Sequence, residues 1–348
     1  MLGEHVEILS GYAFKSKKFN DRGLGVPVVR IRDVGKEKSE TFYDGEYSGD
    51  YLIGNGDLLI GMDGDFRLAE WKGGKALLNQ RVCKITSKDS SLDRVYMYYM
   101  LPRELKRIED KTPFATVKHL SVKKIKNIEI PLPPLDQQKK IAAILDKADA
   151  YRQKTKALIE KYDELTQSLF FDMFGDPQSC RGNEVLGDYC KFYMGGTPAA
   201  DVLEYYEGGD INWLKGGDIA KEYIYEAENK ITELGFKSCN TKTYKDGTIV
   251  IGRTGQGKTR GKVGILMKPM CTNETMIAIV SEGKLNPYYL MHNLKYRYKE
   301  LRSLGGDNQR GGITQTQLKI FKVLVPELDL QNQFAERVQA IEAQKEQV

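Results

Sequence analysis

The octet Gly252-Arg253-Thr254-Gly255-Gln256-Gly257-Lys258-Thr259 follows the strand-like run TIVI and fits the GxxxxGK[ST] pattern of a phosphate-binding loop. Such a loop cradles phosphate with backbone amides, reaches it with the lysine, and needs a helix immediately afterwards whose amino end faces the anion. Here the octet runs into RGKVGILMKPM, rich in glycine and β-formers and containing a proline. The expected element after Thr259 is therefore not a helix. Residues 247–273 hold Arg253, Lys258, Arg260, Lys262 and Lys268 and no acid, which reads as a basic loop, with an ordinary solvated hairpin as the alternative.

Other chemistry-bearing residues fare no better as catalysts. Asn286-Pro287-Tyr288 lacks the second proline of an NPPY methyl-transfer motif, and no glycine-rich cofactor strand precedes it. Its asparagine and proline suit the cap and first turn of a helix. His5, His119 and His292 lie far apart with no cysteine or carboxylate at ligand spacing, so structural or surface roles are expected rather than metal binding. Asp63 and Asp65 resemble a nuclease carboxylate pair, yet the matching stretch further on carries Thr254 and Gln256. No catalytic site, cofactor or metal is expected. The five cysteines have no CxxC spacing, which fits reduced thiols in a cytoplasmic protein.

These residues sit in a chain of 348 residues, enough for two or three ordinary cores. No apolar run approaches membrane-spanning length, and the first residues show no basic region followed by an apolar one, so neither a membrane segment nor a secretory signal is expected. The net charge of +5 divides unevenly: +4 over residues 1–130, −1 over 131–178, +5 over 179–325 and −3 over 326–348. Two basic blocks thus alternate with two slightly acidic ones, a weak pointer to a polyanionic partner.

The chain also repeats itself. Leu2-Gly3 and Leu186-Gly187 open similar segments, each followed eight residues on by Gly11 or Gly195. VVRIRDV (28–34) matches WLKGGDI (213–219), placing Asp33 with Asp218. GDLLIGMDGD (56–65) matches DGTIVIGRTGQG (246–257), with Gly61 on Gly252. LLNQRVCKI (77–85) matches CTNETMIAI (271–279) through Asn79 and Asn273, and IPLPPLDQQKKI (130–141) matches VLVPELDLQNQF (323–334), with Gln138 on Gln331. The order never changes. Each half opens with short strands (residues 26–31 and 57–60; 248–251 and 276–280) and closes with a helix, over 94–108 in the first and 288–304 in the second.

Between the halves, residues 135–174 contain no glycine or proline. Ile141, Ile144, Ala148, Tyr151, Thr155, Leu158, Tyr162, Leu165 and Leu169 recur at alternating steps of three and four, a heptad seam. Asp136 is placed to cap the start, and Gly175 with Pro177 stops the helix. About 38 residues at ~1.5 Å each predict a rod on the order of 57 Å. The segment after Pro326 offers a packing partner through Phe334, Val338 and Ile341, about half as long.

IPLPPLDQQKKIAAILDKADA (130–150) and YDELTQSLFFDMFGDP (162–177) resemble the lead-in and the exit of the first conserved helix in specificity subunits of type I restriction–modification systems. With two domains of like layout around that helix, the resemblance covers the whole chain. It implies two α/β target-recognition domains in tandem, an α+β architecture, separated by long coiled-coil helices packed antiparallel with pseudo-two-fold symmetry. The expected boundaries are 1–130 and 179–325 for the recognition domains, 131–178 for the central helix and 326–348 for the second conserved helix, which stops early relative to the family. The partners implied are double-stranded DNA, two methyltransferase (modification) subunits and the endonuclease/translocase (restriction) subunits. The chain itself would be a non-catalytic subunit, each domain reading half of a bipartite site.

The residues for DNA reading are sought in the two basic blocks: Arg30, Arg32, Lys36, Arg67 and Arg81 in the first, and Lys215, Arg253, Gln256, Lys258, Arg260 and Arg310 in the second. Arginine suits the two guanine acceptors and glutamine suits adenine. Asn79 reads either as a base contact or as a turn residue. Two rival functions are a nucleotide-binding enzyme using the glycine-rich octet and a purely structural coiled-coil scaffold.

Overall fold

The computed structural model describes residues 1–112, 118–255, 259–306 and 311–348. They form two compact units, Met1–Lys154 and Thr155–Val348.

In the first unit, β1 (Val6–Ser10), β2 (Val26–Val29), β3 (Leu58–Gly61), β4 (Leu68–Glu70), β5 (Ala76–Leu78) and β6 (Val82–Ser87) are the principal strands. An antiparallel sheet runs in the order β1-β6-β3-β4. β2 and β5 pair in parallel within a second sheet, with Val28 opposite Leu77. Alternation along β3 serves two layers at once. Leu58 and Ile60 join Tyr96, Met97 and Leu101 of helix α1 (Arg94–Lys111), while Leu59 joins Val29, Val34 and Trp71. A short helix α2 (Val122–Lys126) follows, capped by Ser121, and then the long helix α3 (Leu135–Phe174).

The second unit rebuilds this plan with β7 (Cys190–Met194), β8 (Ile211–Leu214), β9 (Tyr223–Ile224), β10 (Ile249–Gly252), β11 (Val263–Leu266), β12 (Cys271–Thr272) and β13 (Met276–Ser281). Its main sheet has the order β7-β13-β10-β11-β9. β8 and β12 pair in parallel, with Trp213 opposite Cys271. Its helices include α4 (Pro287–Tyr296), α5 (Gln315–Lys319) and α6 (Leu328–Lys345).

The sequence repeat maps onto equal registers. Gly61 pairs with Val82 where Gly252 pairs with Met276. A Cβ on Gly11 would stand 2.1 Å from the Asn79 carbonyl oxygen, and one on Gly195 would stand 1.9 Å from that of Thr272, so both crossings require glycine. Asp33 and Asp218, both buried, accept from the backbone amides of Arg30 (3.0 Å) and Lys215 (2.9 Å) and close the same turn. Gln138 and Gln331 are fully buried and tie a later helix to the cap of an earlier one in the same unit. Each Oε1 accepts from a capping residue's amide at 2.8 Å, Asp93 in one unit and Asn286 in the other. Each Nε2 donates to a proline carbonyl, Pro133 at 2.8 Å and Pro326 at 2.7 Å. Replacing either glutamine by alanine leaves buried polar groups without partners, so a loss of about 1–3 kcal/mol per site is expected. Urea denaturation of each variant checks this, and a change within error at both sites would remove the glutamines from the account.

α3 occupies the predicted span, and Gly175 ends it at φ +78°, its amide bonded to Phe171 O at 2.8 Å. The predicted seam requires correction. Ile141, Ile144, Ala148, Tyr151, Leu158 and Leu165 are exposed, and Tyr162 and Leu169 are only half-buried. The side chains that α3 buries lie on another face: Gln138 and Ala142 in the first unit, Thr166, Phe170 and Phe174 in the second. Phe334 and Val338 of α6 are buried and Ile341 is half-buried, but α6 meets α3 through Phe170 and Phe174. The single helix predicted over 288–304 is also two. Arg297 breaks it because its fully buried guanidinium bonds Glu300 and Lys322 O and stacks 3.9 Å over Phe321, which holds its backbone out of helical geometry.

Candidate nucleic-acid interface

In the first unit two of the five predicted cations, Arg67 and Arg81, pair with the carboxylates Asp65 and Asp63. After β3 the chain turns through Asp63 and Asp65, opposite the 3-10 turn Ile31–Asp33 that β2 leads into. Ile31, Arg32, Val34, Gly61, Asp63, Asp65 and Arg67 line a cleft of about 280 Å³ there. Arg32 donates to Thr41 Oγ1 (2.9 Å), Arg67 pairs with Asp65 (3.0 Å), and Arg81 Nε lies 3.2 Å from Asp63 Oδ2. Arg30 sits beside this group with its guanidinium 5.9 Å over the Phe19 ring. Lys36, further along the loop, lines a separate groove with Glu37, Lys72 and Arg94.

His119, for which a structural or surface role is expected, lies with its Nδ1 2.6 Å from Asp63 Oδ1. The sequence signal for this pairing is the shared lead-in to α2 and α5, where capping Ser121 corresponds to Thr314 and so His119 to Gly312. Asn79 belongs to the framework: it is buried, and its amide bonds Val29 O as that of Asn273 bonds Leu214 O.

The second unit holds its cations differently. Lys215 lies 4.6 Å over the Trp213 ring and donates to Asn229 Oδ1 at 3.1 Å. Arg253 is half-buried, with its amide on Thr275 O. Arg260 is half-buried and links two segments, its Nη1 donating to Gly311 O at 2.9 Å. Gln256, Lys258 and Arg310 lie outside the described residues.

The phosphate-loop reading fails on local geometry. Gly252 and Lys262 face each other across a hairpin, with Gly252 N on Lys262 O and Gly261 N on Gly252 O, both at 2.9 Å. The element after Thr259 is strand β11, so no helix N-terminus is aimed at the loop. Asn286 and Pro287 begin α4, with Asn286 Oδ1 accepting from Tyr288 N. His292 lies buried between Tyr223 and Tyr296, and burial, with Lys295 and Lys345 nearby, holds its imidazole well below the usual histidine range. Burial pushes the Cys83, Cys190 and Cys271 thiols up to about 12, which keeps them protonated at neutral pH. Among the described residues no His, Cys, Asp or Glu group could hold a metal ion, and no helix is long and apolar enough to cross a membrane.

Two α/β units of similar topology thus repeat one framework within the chain. Residues 1–162 and 184–347 match the family described as Type I restriction modification DNA specificity domain. The Type I restriction enzyme EcoBI specificity subunit of Escherichia coli is 44% identical over 158 residues, 45% of this chain and 33% of that protein. The match thus spans about a third of that relative's length. The MjaVIII specificity subunit of Methanocaldococcus jannaschii is 23% identical, covering 94% of this chain and 90% of that one. A crystal structure of a type I S subunit from M. genitalium shares the fold, with a TM-score of 0.65 at 16% identity over 99% of this chain and 89% of that one. The chain belongs to the family of type I restriction–modification specificity subunits.

Proposed function

We propose that this chain is the non-catalytic DNA-reading subunit of a type I restriction–modification complex, each unit reading one half of a bipartite site. The observation that carries the reading is a framework repeated register for register with different side chains at equivalent surface positions. Arg32 stands where Gly217 does, Asp63 where Thr254 does, and Arg81 where Thr275 does. A repeated scaffold with diverged readers suits two unlike half-sites, which a symmetric dimer of identical heads cannot address. The recognition domains would span 1–130 and 179–325, with 131–178 and 326–348 as the conserved helices. Antiparallel packing of α3 and α6 is part of this proposal. It is supported by two contacts that run in opposite directions, Phe334 on Phe170 and Lys345 on Asp163 at 2.5 Å.

Modification subunits would dock on the exposed apolar stripe of α3, and the endonuclease subunits would join that assembly in the cytoplasm. DNA would meet the cation patches. Arg32 and Arg67 are exposed and suited to phosphates, which position a protein without selecting bases. Substituting both by alanine is expected to weaken binding to any sequence. It should also lower the slope of log affinity against log salt by about 0.9 for each phosphate left without its cation. Fluorescence anisotropy between roughly 50 and 200 mM salt measures this. An unchanged slope would place the cleft away from DNA. The reading as a whole is tested by sequencing the modified motif of a host that carries this chain with its modification subunit: a two-part motif is expected.

A further inference from the structure

We infer that Asp63 is a positioning residue that aims Arg81 and His119 at one base pair, with Arg81 reading guanine, in the half-site read by the first unit. This rests on the proposed DNA-reading function and adds to it the residues and the base.

The backbone brings three separate segments to one point. Met62 N bonds Arg81 O (2.9 Å), Leu120 N bonds Met62 O (2.7 Å), and Gly64 N bonds Lys118 O (2.8 Å), so the end of β3, the start of β6 and the lead-in to α2 are held together. On that bridge the Asp63 side chain, 21% exposed, forms an ion pair with Arg81, one oxygen lying 3.2 Å from Nε, and a hydrogen bond with His119 Nδ1 through the other. Arg81 and His119 are 51% and 54% exposed, so their outer ends are open to solvent. With Nε held by the carboxylate, the two terminal amino groups of Arg81 form the free edge of the fork. That edge matches the N7 and O6 acceptors of guanine in the major groove. With Nδ1 held, His119 presents Nε2.

The second unit has the same bridge and different chemistry. Arg253 N bonds Thr275 O at 2.8 Å and Ile313 N bonds Arg253 O at 3.0 Å, matching the bonds at Met62 and Leu120. The residues that correspond to Asp63, Arg81 and His119 are Thr254, Thr275 and Gly312. A Cβ built on Gly312 falls 3.1 Å from Thr254 Cγ2, the place where His119 meets Asp63. A contact needed to hold the fold would be present in both units, as Asp33/Asp218 and Gln138/Gln331 are. The Asp63–Arg81–His119 trio is present in one, which marks it as a reader of that half-site.

The test is the modified motif of the full chain assembled with its modification subunit. Wild type is compared with Arg81→Ala, Arg81→Lys and Asp63→Asn. Arg81→Ala is expected to relax preference for one guanine by about tenfold or more, with the other half-site unchanged. Arg81→Lys and Asp63→Asn are expected to relax the same position to a smaller degree. A purely structural role would lower modification at all sites without changing base preference. Variants with wild-type melting behaviour that keep the wild-type motif would overturn the inference while leaving the two-part reading intact. A wild-type motif without two parts would overturn the reading itself, and the inference with it.

Discussion

Phe170→Ala is expected to destabilise the second unit by about 3–5 kcal/mol, the range for emptying a buried phenylalanine site. Phe170 is fully buried near the end of α3 and forms the centre of an aromatic cluster. Its ring stacks on Tyr289 of α4 (5.6 Å, 14° between planes) and meets Phe334 of α6 edge-on at 5.4 Å. Tyr296 at 5.3 Å and Phe174 at 5.0 Å complete the ring of neighbours. Three helices thus share one side chain, and none can close the void without shifting the other two. The molecule supplies its own reporters, because its two tryptophans are buried one in each unit, Trp71 in the first and Trp213 in the second. In a Trp71→Phe background the fluorescence of Trp213 follows the second unit. Its thermal midpoint should fall by on the order of 10 °C, given about 2–4 °C per kcal/mol in a domain of this size. A fall of less than about 3 °C would mean the cluster relaxes around the void.

Much of this framework was legible because it is written twice. A position that recurs in both halves, such as Gly11 and Gly195 or Asp33 and Asp218, proved to serve a crossing or a turn common to both units. The bounds of α3 were legible from the lack of breakers between Pro134 and Gly175. The break at Arg297 was not, since nothing local forbids a helix there; it depends on Phe321 and Lys322, brought in from a later segment. Arg260 shows the same limit from the functional side. As a residue type it belongs with DNA-reading cations, but the fold also brings its Nη1 onto carbonyl oxygens of Gly305 and Gly311, 45 and 51 residues on. The pairing of His119 with Asp63 escaped because the two are 56 residues apart and only the fold brings them together.

The seam of α3 is the most instructive difference, and it carries the second large effect. Heptad spacing identifies a stripe that wants a helical partner, but it does not say whether that partner lies in the same chain. Within the first unit Ile144 is 66% and Tyr151 74% exposed, while Ala142, on roughly the opposite face of the helix, is buried in the core. Substituting Ile144 and Tyr151 together by aspartate should therefore leave the fold nearly untouched, within about 0.5 kcal/mol, as for other exposed positions. If the stripe is where a modification subunit docks, the same two charges meet the apolar centre of an interface. Central apolar and aromatic residues there are each worth about 2 kcal/mol or more, so association should weaken by at least a hundredfold. DNA binding by the isolated chain should persist, since neither residue belongs to the cation patches. Co-purification with the modification subunit, methylation by the assembled complex and the melting curve of the free variant separate these effects. Undiminished assembly would show that the stripe is not the docking face. A collapsed melting curve would show instead that Ile144 and Tyr151 are buried within the chain in solution.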